Sequence, residues 1–450
     1  MFRKILIANR GEVALRVIRA CHELDIPCVA VYSEADAGSL HVREADEAVC
    51  IGPGPAGSSY LLIPAVIGAA EITGCDAVHP GYGFLAENPV FAEACLDNDL
   101  AFIGPGADVM RRMGDKSAAK QIMKQARIPV IPGSDGPVET AAEAADVAAR
   151  YGYPVLIKAA AGGGGRGMRL VASLEEMESC FAMAQNEAVT GFGDGRLYLE
   201  KAVAGPHHVE MQVLVDKAGS VLTLGERDCS VQRRHQKVVE ESPSPLLDAE
   251  TRQRMSEAAI AACRASAYEN AGTIEFLVDA GRNFYFMEMN TRVQVEHPVS
   301  EMTTGVDIVR EQIRIAAGGL LDRTGALQPR GHAIELRINA EDPQNGFRPN
   351  TGRIGRYVPP GGPGVRVDSH LYEGYEIPVF YDSLLAKLIV WDSDRPAALR
   401  RALRALDELV IEGVVTNKEF CAAVLGCPDF AGGDYTTAFI EENAERLKIR

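Results

Sequence analysis

Five polar residues occupy every second position near the middle of the chain: Glu288, Asn290, Arg292, Gln294 and Glu296 alternate with Met289, Thr291, Val293 and Val295. In an extended strand successive side chains point to opposite faces, so this run would line one face with two carboxylates, two amides and a guanidinium. A solvated edge strand shows the same alternation, and that plain reading stands beside the chemical one. Upstream, residues 273–288 read as a β-hairpin turning near Gly281 and Arg282. Folded there, Glu275 falls opposite Glu288 or nearly so, with a bulge able to shift the register by one. Like charges directly across a ladder repel. Two facing carboxylates with Asn290 beside them therefore point to a hard cation with oxygen ligands, most simply Mg²⁺ carrying substrate phosphates.

A second signal is Lys158, followed by a loop with glycine at positions 162–165 and 167. Glycines let backbone N–H groups approach phosphate oxygens. No Lys-Ser/Thr pair follows, so this is not a Walker loop. A flexible linker is the alternative; the loop's shortness, its place between two predicted strands and the adjoining lysine favour a mobile phosphate cover. Arg233, His235 and Lys237 would share one face of an extended strand, where they suit anionic oxygens; a solvated charge run is the alternative. Gly52, Gly54 and Gly57 match a dinucleotide fingerprint formally, but Pro53 and Pro55 remove donors that a phosphate-binding turn uses, so the stretch reads as a plain loop.

The elements that must position these groups follow from the wider pattern. The 450 residues suffice for two to four domains, and 47% hydrophobic with 24% charged residues is the balance of an ordinary globular enzyme. A net charge of −16 argues against a nucleic-acid surface. The ten cysteines show no Cys-x-x-Cys and no Cys/His zinc spacing, so they read as reduced, mostly buried thiols. Cys229 reads as packed, and His207-His208 lacks a nearby third metal ligand. No apolar run is long enough for a membrane span and no signal peptide opens the chain, so the expectation is a cytoplasmic protein, or a matrix or stromal one shown without its transit peptide.

Apolar runs at 4–8, 28–31, 48–51, 77–79 and 101–103 alternate with helical patterns, which predicts a parallel sheet with flanking helices over 1–113. Residues 114–330 form the second region, with a small α/β lid at about 134–203. A third region runs from 331 to 450, with a β-rich pattern from 331 to about 391. Ile334, Leu336 and Ile338 alternate with Arg337, which projects opposite the core face. A helix capped near Asp394 carries Leu399, Leu403, Leu406 and Val410 inward.

Taken together, these residues resemble biotin carboxylase, the ATP-grasp component of biotin-dependent carboxylases, over essentially the whole chain. The resemblance rests on residues 9–12 (Asn-Arg-Gly-Glu), 79–84 (His-Pro-Gly-Tyr-Gly-Phe), 113–116 (Met-Gly-Asp-Lys), Lys158 with its glycine loop, and 226–241. It rests also on 288–298 and 335–342. The run Arg233-Arg234-His235-Gln236-Lys237, with the 288–298 motif, separates it from other ATP-grasp ligases, which need no Arg292–Glu296 cradle. A catalytically silent nucleotide-binding subunit would not require the full catalytic set.

The resemblance implies a mixed α/β and α+β architecture: a Rossmann-like N-terminal domain, an ATP-grasp fold with a mobile lid, and a β-rich C-terminal biotin carboxylase domain. It implies ATP and Mg²⁺ as cofactors, with Mn²⁺ as a substitute. Lys116, Lys158, Gly164 and Gly165 would hold phosphates, and Glu200, Lys201, Ala202 and Val203 the adenine. His208, Gln232 and His235 would complete the nucleotide site, with Glu275, Glu288 and Asn290 on the metal. Lys237, Arg292, Gln294 and the backbone of Val295 would hold bicarbonate, and Glu296 would be the general base. Arg337 would stabilise the enolate-like oxygen of biotin, with Tyr82 near its pocket. The implied partners are a biotin carboxyl carrier protein, which brings biotin in trans, and carboxyltransferase subunits. Acetyl-CoA or another acyl-CoA is the expected final acceptor. A homodimer is also implied, although Pro363 replaces the aromatic residue that bacterial members often carry at that contact.

Overall fold

The computed structural model describes residues 1–160 and 167–448. Strands Ile5–Ile7, Cys28–Tyr32, Glu47–Cys50, Ala77–His79 and Ala101–Phe102 form a parallel sheet in the spatial order third, second, first, fourth, fifth. Ile5, Leu6, Ile7, Val29, Val31 and Val78 are fully enclosed, as a parallel sheet covered on both faces requires. The first helix, Gly11–Glu23, buries Val13, Val17 and Cys21 at their helical spacing.

The lid is a separate three-stranded sheet, Val155–Ala159 between Met168–Val171 and Leu197–Lys201. Helices Ala141–Tyr151 and Leu174–Phe192 cover it, closing a core that includes Ala148, Ile157, Phe181 and Leu199. Apart from two small two-stranded sheets, the remaining strands build one nine-stranded sheet, eight strands in a row with Gly325–Ala326 paired alongside Val221–Arg233. It runs from Phe284–Asn290 through Asn270–Val278, His207–Val215, Val221–Arg233 and Gln236–Ser242. It continues into His332–Asn339, Leu384–Asp392 and Val365–Ser369. The sheet therefore crosses residue 330 without a break, with Glu240 paired directly to Glu335.

Three expectations are corrected. The polar alternation of residues 288–296 is not one strand: the ladder ends at Asn290, and residues 291–296 turn across the strand end into helix His297–Thr304. Pro298 sits in the first turn of that helix, where a missing N–H costs nothing. Arg233, His235 and Lys237 do not share one strand face either. Arg234 and His235 both have positive φ and form a two-residue hairpin turn between paired Arg233 and Gln236. Arg233 instead lies over the Phe347 ring, 4.0 Å from its centroid. Finally, helix Arg395–Glu408, capped by Asp394, buries Leu399 and Leu406 but leaves Leu403 39% exposed. Ala402, Ala405 and Leu409 fill the face assigned to Leu403.

That contrast is measurable. Leu406→Ala, which empties a closed core site, lowers unfolding free energy in urea by about 2–5 kcal/mol. Leu403→Ala changes it by under about 0.5 kcal/mol.

Candidate active site

A cleft of about 850 Å³ opens between the lid, the turn at Arg234-His235 and the strand ends of the large sheet. Tyr82, Lys116, Lys158, Glu200, His208, Gln232, His235, Lys237, Glu275 and Glu288 line it. Asn290, Arg292, Gln294, Val295, Glu296 and Arg337 complete its wall. The turn after Asn290 thus keeps the whole polar series on one wall, although only its first members are in a strand. Lys201, Ala202 and Val203 are not among the lining residues; the Lys201 ammonium donates to the Gly152 and Tyr153 carbonyls, at 3.0 and 2.9 Å. Gly164 and Gly165 lie outside the described residues.

Glu275 stands in register with Glu288, with a bulge immediately after it. Asn290 Nδ2 donates to Glu275 Oε1 at 2.9 Å. Burial, together with the facing Glu275, pushes the Glu288 carboxyl up from its ordinary value. The pair thus carries negative charge that a divalent cation would relieve, and its oxygens suit Mg²⁺ or Mn²⁺. His208 Nε2 lies 3.1 Å from Glu275 Oε2, so this histidine does find carboxylates around it. Gln232 Nε2 holds its other nitrogen at 2.9 Å.

Lys237 is the hub that joins this acidic pair to Glu296. Its ammonium donates to Glu210 Oε2 and Glu296 Oε1, both at 2.6 Å, and to Glu275 Oε1 and Gln294 Oε1, both at 3.1 Å. Arg337 Nη2 donates to the other oxygen of Glu296 at 2.9 Å. Burial pushes the Glu296 carboxyl up, but Lys237, Arg337 and Arg227 outweigh it and hold the group below the ordinary carboxylate range. Cys229 lies behind Glu296, its thiol 3.9 Å from Oε1 and pushed up by burial, so it packs rather than reacts.

Family models match in three consecutive pieces: "Biotin carboxylase, N-terminal domain" over residues 1–110, "Carbamoyl-phosphate synthase L chain, ATP binding domain" over 115–324, and "Biotin carboxylase C-terminal domain" over 335–442. A biotin carboxylase from Nostoc sp. is 55% identical over 98% of this chain and 99% of its own. The chain belongs to the biotin carboxylase family. Among solved structures, a Campylobacter jejuni biotin carboxylase in a βγ-ATP complex superposes with TM-score 0.95 at 50% identity, over 98% of this chain and 99% of its own. The biotin carboxylase domain dimer of Hydrogenobacter thermophilus 2-oxoglutarate carboxylase, with MgADP, ADP and bicarbonate, superposes with TM-score 0.94 at 49% identity, over 99% of each chain. The ATP-grasp architecture expected of this family is therefore the fold of the chain.

Sequence reasoning missed the residues that hold the biotin carboxylase motifs in place. Arg227 is fully enclosed and bonds Glu210 Oε1 at 2.5 Å, Gln212 Oε1 at 2.6 Å, and the hydroxyls of Ser300 and Thr273 at 3.0 Å. Glu87 takes the Arg292 Nε–H at 2.9 Å and the Thr291 amide at 3.0 Å. Lys120 and Lys158 both ion-pair Glu200, whose carboxyl burial would raise but the two lysines lower to about 2. Lys387, also enclosed, donates to the Val295 carbonyl at 2.9 Å and pairs with Glu12 at 3.1 Å; Glu12 in turn accepts the Tyr82 hydroxyl. Only an isolated charge in an otherwise apolar strand signals such residues, as at Lys387 between Ala386 and Leu388.

Glu240 accepts Arg337 Nε at 2.6 Å, while its second oxygen and both oxygens of Glu335 are buried without a hydrogen bond. Burial, against the pull of Arg337, pushes Glu240 up to about 7. Burial and Glu240 push the Glu335 carboxyl well above its ordinary value, despite Lys387. Glu296, Lys237, Cys229 and Cys421 also face this pair. A carboxyl raised in the folded state contributes stability below its unfolded value and loses it as pH rises through the folded one. The urea midpoint should therefore fall as pH rises from about 4.5 to about 7. Glu335→Gln removes the second raised carboxyl of the pair and flattens that fall.

Proposed function

We propose that this cleft carries out ATP-dependent carboxylation of biotin by bicarbonate through carboxyphosphate, and that the residues act as follows. Lys116 and Lys158 take the ATP phosphates, Lys158 exchanging its present contact with Glu200 for them. His208, Gln232 and His235, with the segment Glu200, Lys201, Ala202 and Val203, complete the nucleotide site, and Gly164 and Gly165 close over it. Glu275, Glu288 and Asn290 would hold Mg²⁺ or Mn²⁺, which neutralises phosphate charge when bound.

Bicarbonate takes the space between Lys237, Arg292, Gln294 and Val295, where a guanidinium offers paired donors to a planar oxyanion. Glu296 removes its proton as the oxygen attacks the γ-phosphorus, giving carboxyphosphate and ADP. As bicarbonate engages Lys237 and Arg292, it draws off the positive charge that holds Glu296 ionised. The carboxylate's proton affinity rises at the moment it is needed. Carboxyphosphate breaks into CO₂ and phosphate. The phosphate takes the ureido N–H proton, and the nitrogen attacks CO₂ to give carboxybiotin. Arg337 faces the ureido oxygen as negative charge builds there, and Tyr82 borders the biotin pocket.

The observation that carries this reading is Glu296 held between Lys237 and Arg337, at 2.6 and 2.9 Å, with Lys237 also bonded to Glu275 of the acidic pair. Within the family, biotin arrives on a carboxyl carrier protein, and we extend the assignment to a carboxyltransferase partner with an acyl-CoA acceptor, acetyl-CoA first. A homodimer like the Hydrogenobacter domain dimer, and a cytoplasmic location, belong to the same proposal. Among the described residues no helix is long and apolar enough to cross a membrane.

ADP release with Mg-ATP tests the assignment, omitting bicarbonate and free biotin in turn. Release should require bicarbonate and rise with biotin; release indifferent to both would point to another ligase. Glu296→Ala should lower turnover by about 10²–10⁴-fold while ATP binding is retained. Unchanged turnover would remove Glu296 from its role. Glu288→Gln should raise the Mg²⁺ concentration needed for half-maximal rate.

A further inference from the structure

The ten cysteines carry no zinc-finger spacing, yet the fold gathers two of them with a histidine and an aspartate. Cys21 and His22 occupy the last turn of helix Gly11–Glu23, and Cys28 opens the strand beside it. The parallel pairing of Val29 with Glu47 brings Asp46 alongside Cys28. The Cys28 thiol lies 3.8 Å from His22 Nε2, which lies 3.4 Å from Asp46 Oδ2. One donor atom from each of the three falls within 4.8 Å of the others. The Cys21 thiol rests against that of Cys28. None of the four residues lines the catalytic cleft.

We infer that Cys28, His22 and Asp46 form a second cation site for a thiophilic divalent ion of the zinc class, with solvent completing its coordination. Bond lengths of about 2.3 Å to sulfur and 2.0–2.1 Å to nitrogen or oxygen give tetrahedral edges of about 3.3–3.6 Å. The edges from His22 Nε2 to Asp46 and to Cys28, 3.4 and 3.8 Å, need only small adjustment. Sulfur and imidazole donors select a soft or borderline ion over Mg²⁺. Asp46 is already oriented, because its Oδ2 accepts the Cys28 amide at 2.8 Å. The negative end of the helix dipole adds attraction for a cation. Both thiols are closed off on the core side, while His22 and Asp46 are half exposed and leave an entry path. Binding would displace the Cys28 thiol proton to solvent as the sulfur–metal bond forms. The ion would tie the end of the first helix to the second strand and to the segment before the third. That helix carries Glu12, the partner of Tyr82 and Lys387, in its first turn.

Co²⁺ titration of the reduced full-length protein tests this independently of turnover. A sulfur-to-cobalt charge-transfer band should saturate at one ion per chain and bleach when Zn²⁺ is added. The acidic pair in the cleft, having only oxygen donors, cannot produce that band. Cys28→Ser should abolish it. His22→Ala and Asp46→Asn, on the exposed rim where folding is least at risk, should each weaken Co²⁺ binding by about 10–100-fold. The rise in Tm with Zn²⁺ should disappear in the same variants. Absence of the band at saturating Co²⁺, or its persistence unchanged in both rim variants, would overturn the site.

Discussion

The ammonium of Lys237 is buried among carboxylates, and the catalytic wall is arranged to satisfy it. Removing a charge from water costs several kcal/mol unless partners with good geometry replace the lost hydration. Here Glu210, Glu275 and Glu296 supply that replacement on three sides, and Gln294 fills a fourth. The other oxygen of Glu210 bonds Arg227, which is held in turn by Gln212, Ser300 and Thr273. Each charge is thus compensated only while the others are present. This places a carboxylate, an ammonium and a guanidinium within bonding distance of one another before any substrate arrives.

The same logic joins the three regions of the chain. Arg16 of the first helix pairs with Glu301 at 2.9 Å, and Arg366 reaches the other oxygen of Glu301 at 2.6 Å and Asp368 at 2.6 Å. Lys387 links Glu12 to the Val295 carbonyl. The backbone proposed to contact bicarbonate is therefore oriented by a lysine from the last strands of the sheet and a glutamate from the first helix. The unbroken nine-stranded sheet makes this feasible, because it fixes Glu335, Arg337 and Lys387 relative to Lys237 and Glu240 through backbone hydrogen bonds.

Much of the site was legible in the residues alone. The hairpin that sets Glu275 against Glu288 follows from β-rich runs about a turn, and the register is the one the repulsion argument requires. The alternation from Glu288 to Glu296 singled out five residues that all line the cleft, on an incomplete ground. Strand periodicity accounts for Glu288 and Asn290, whereas Arg292, Gln294 and Glu296 are brought round by a turn into a helix. At Arg233 and Lys237 the same argument failed, because two positive-φ residues fold that segment back on itself. Leu403 failed for a different reason: its helical face meets solvent at that level, where alanines pack beneath.

What the sequence by itself determined is local: strand and helix periodicity, the acidic hairpin, the lysine before the glycine loop, and the motifs that mark the family. Tertiary structure alone decided which charges compensate which. Glu87 with Arg292, Glu12 with Lys387, and Glu240 with Arg337 are each joined across other elements of the chain. Periodicity records which way a side chain faces. Charge compensation depends on distances of a few ångströms between segments, and only the packed sheet and helices set those.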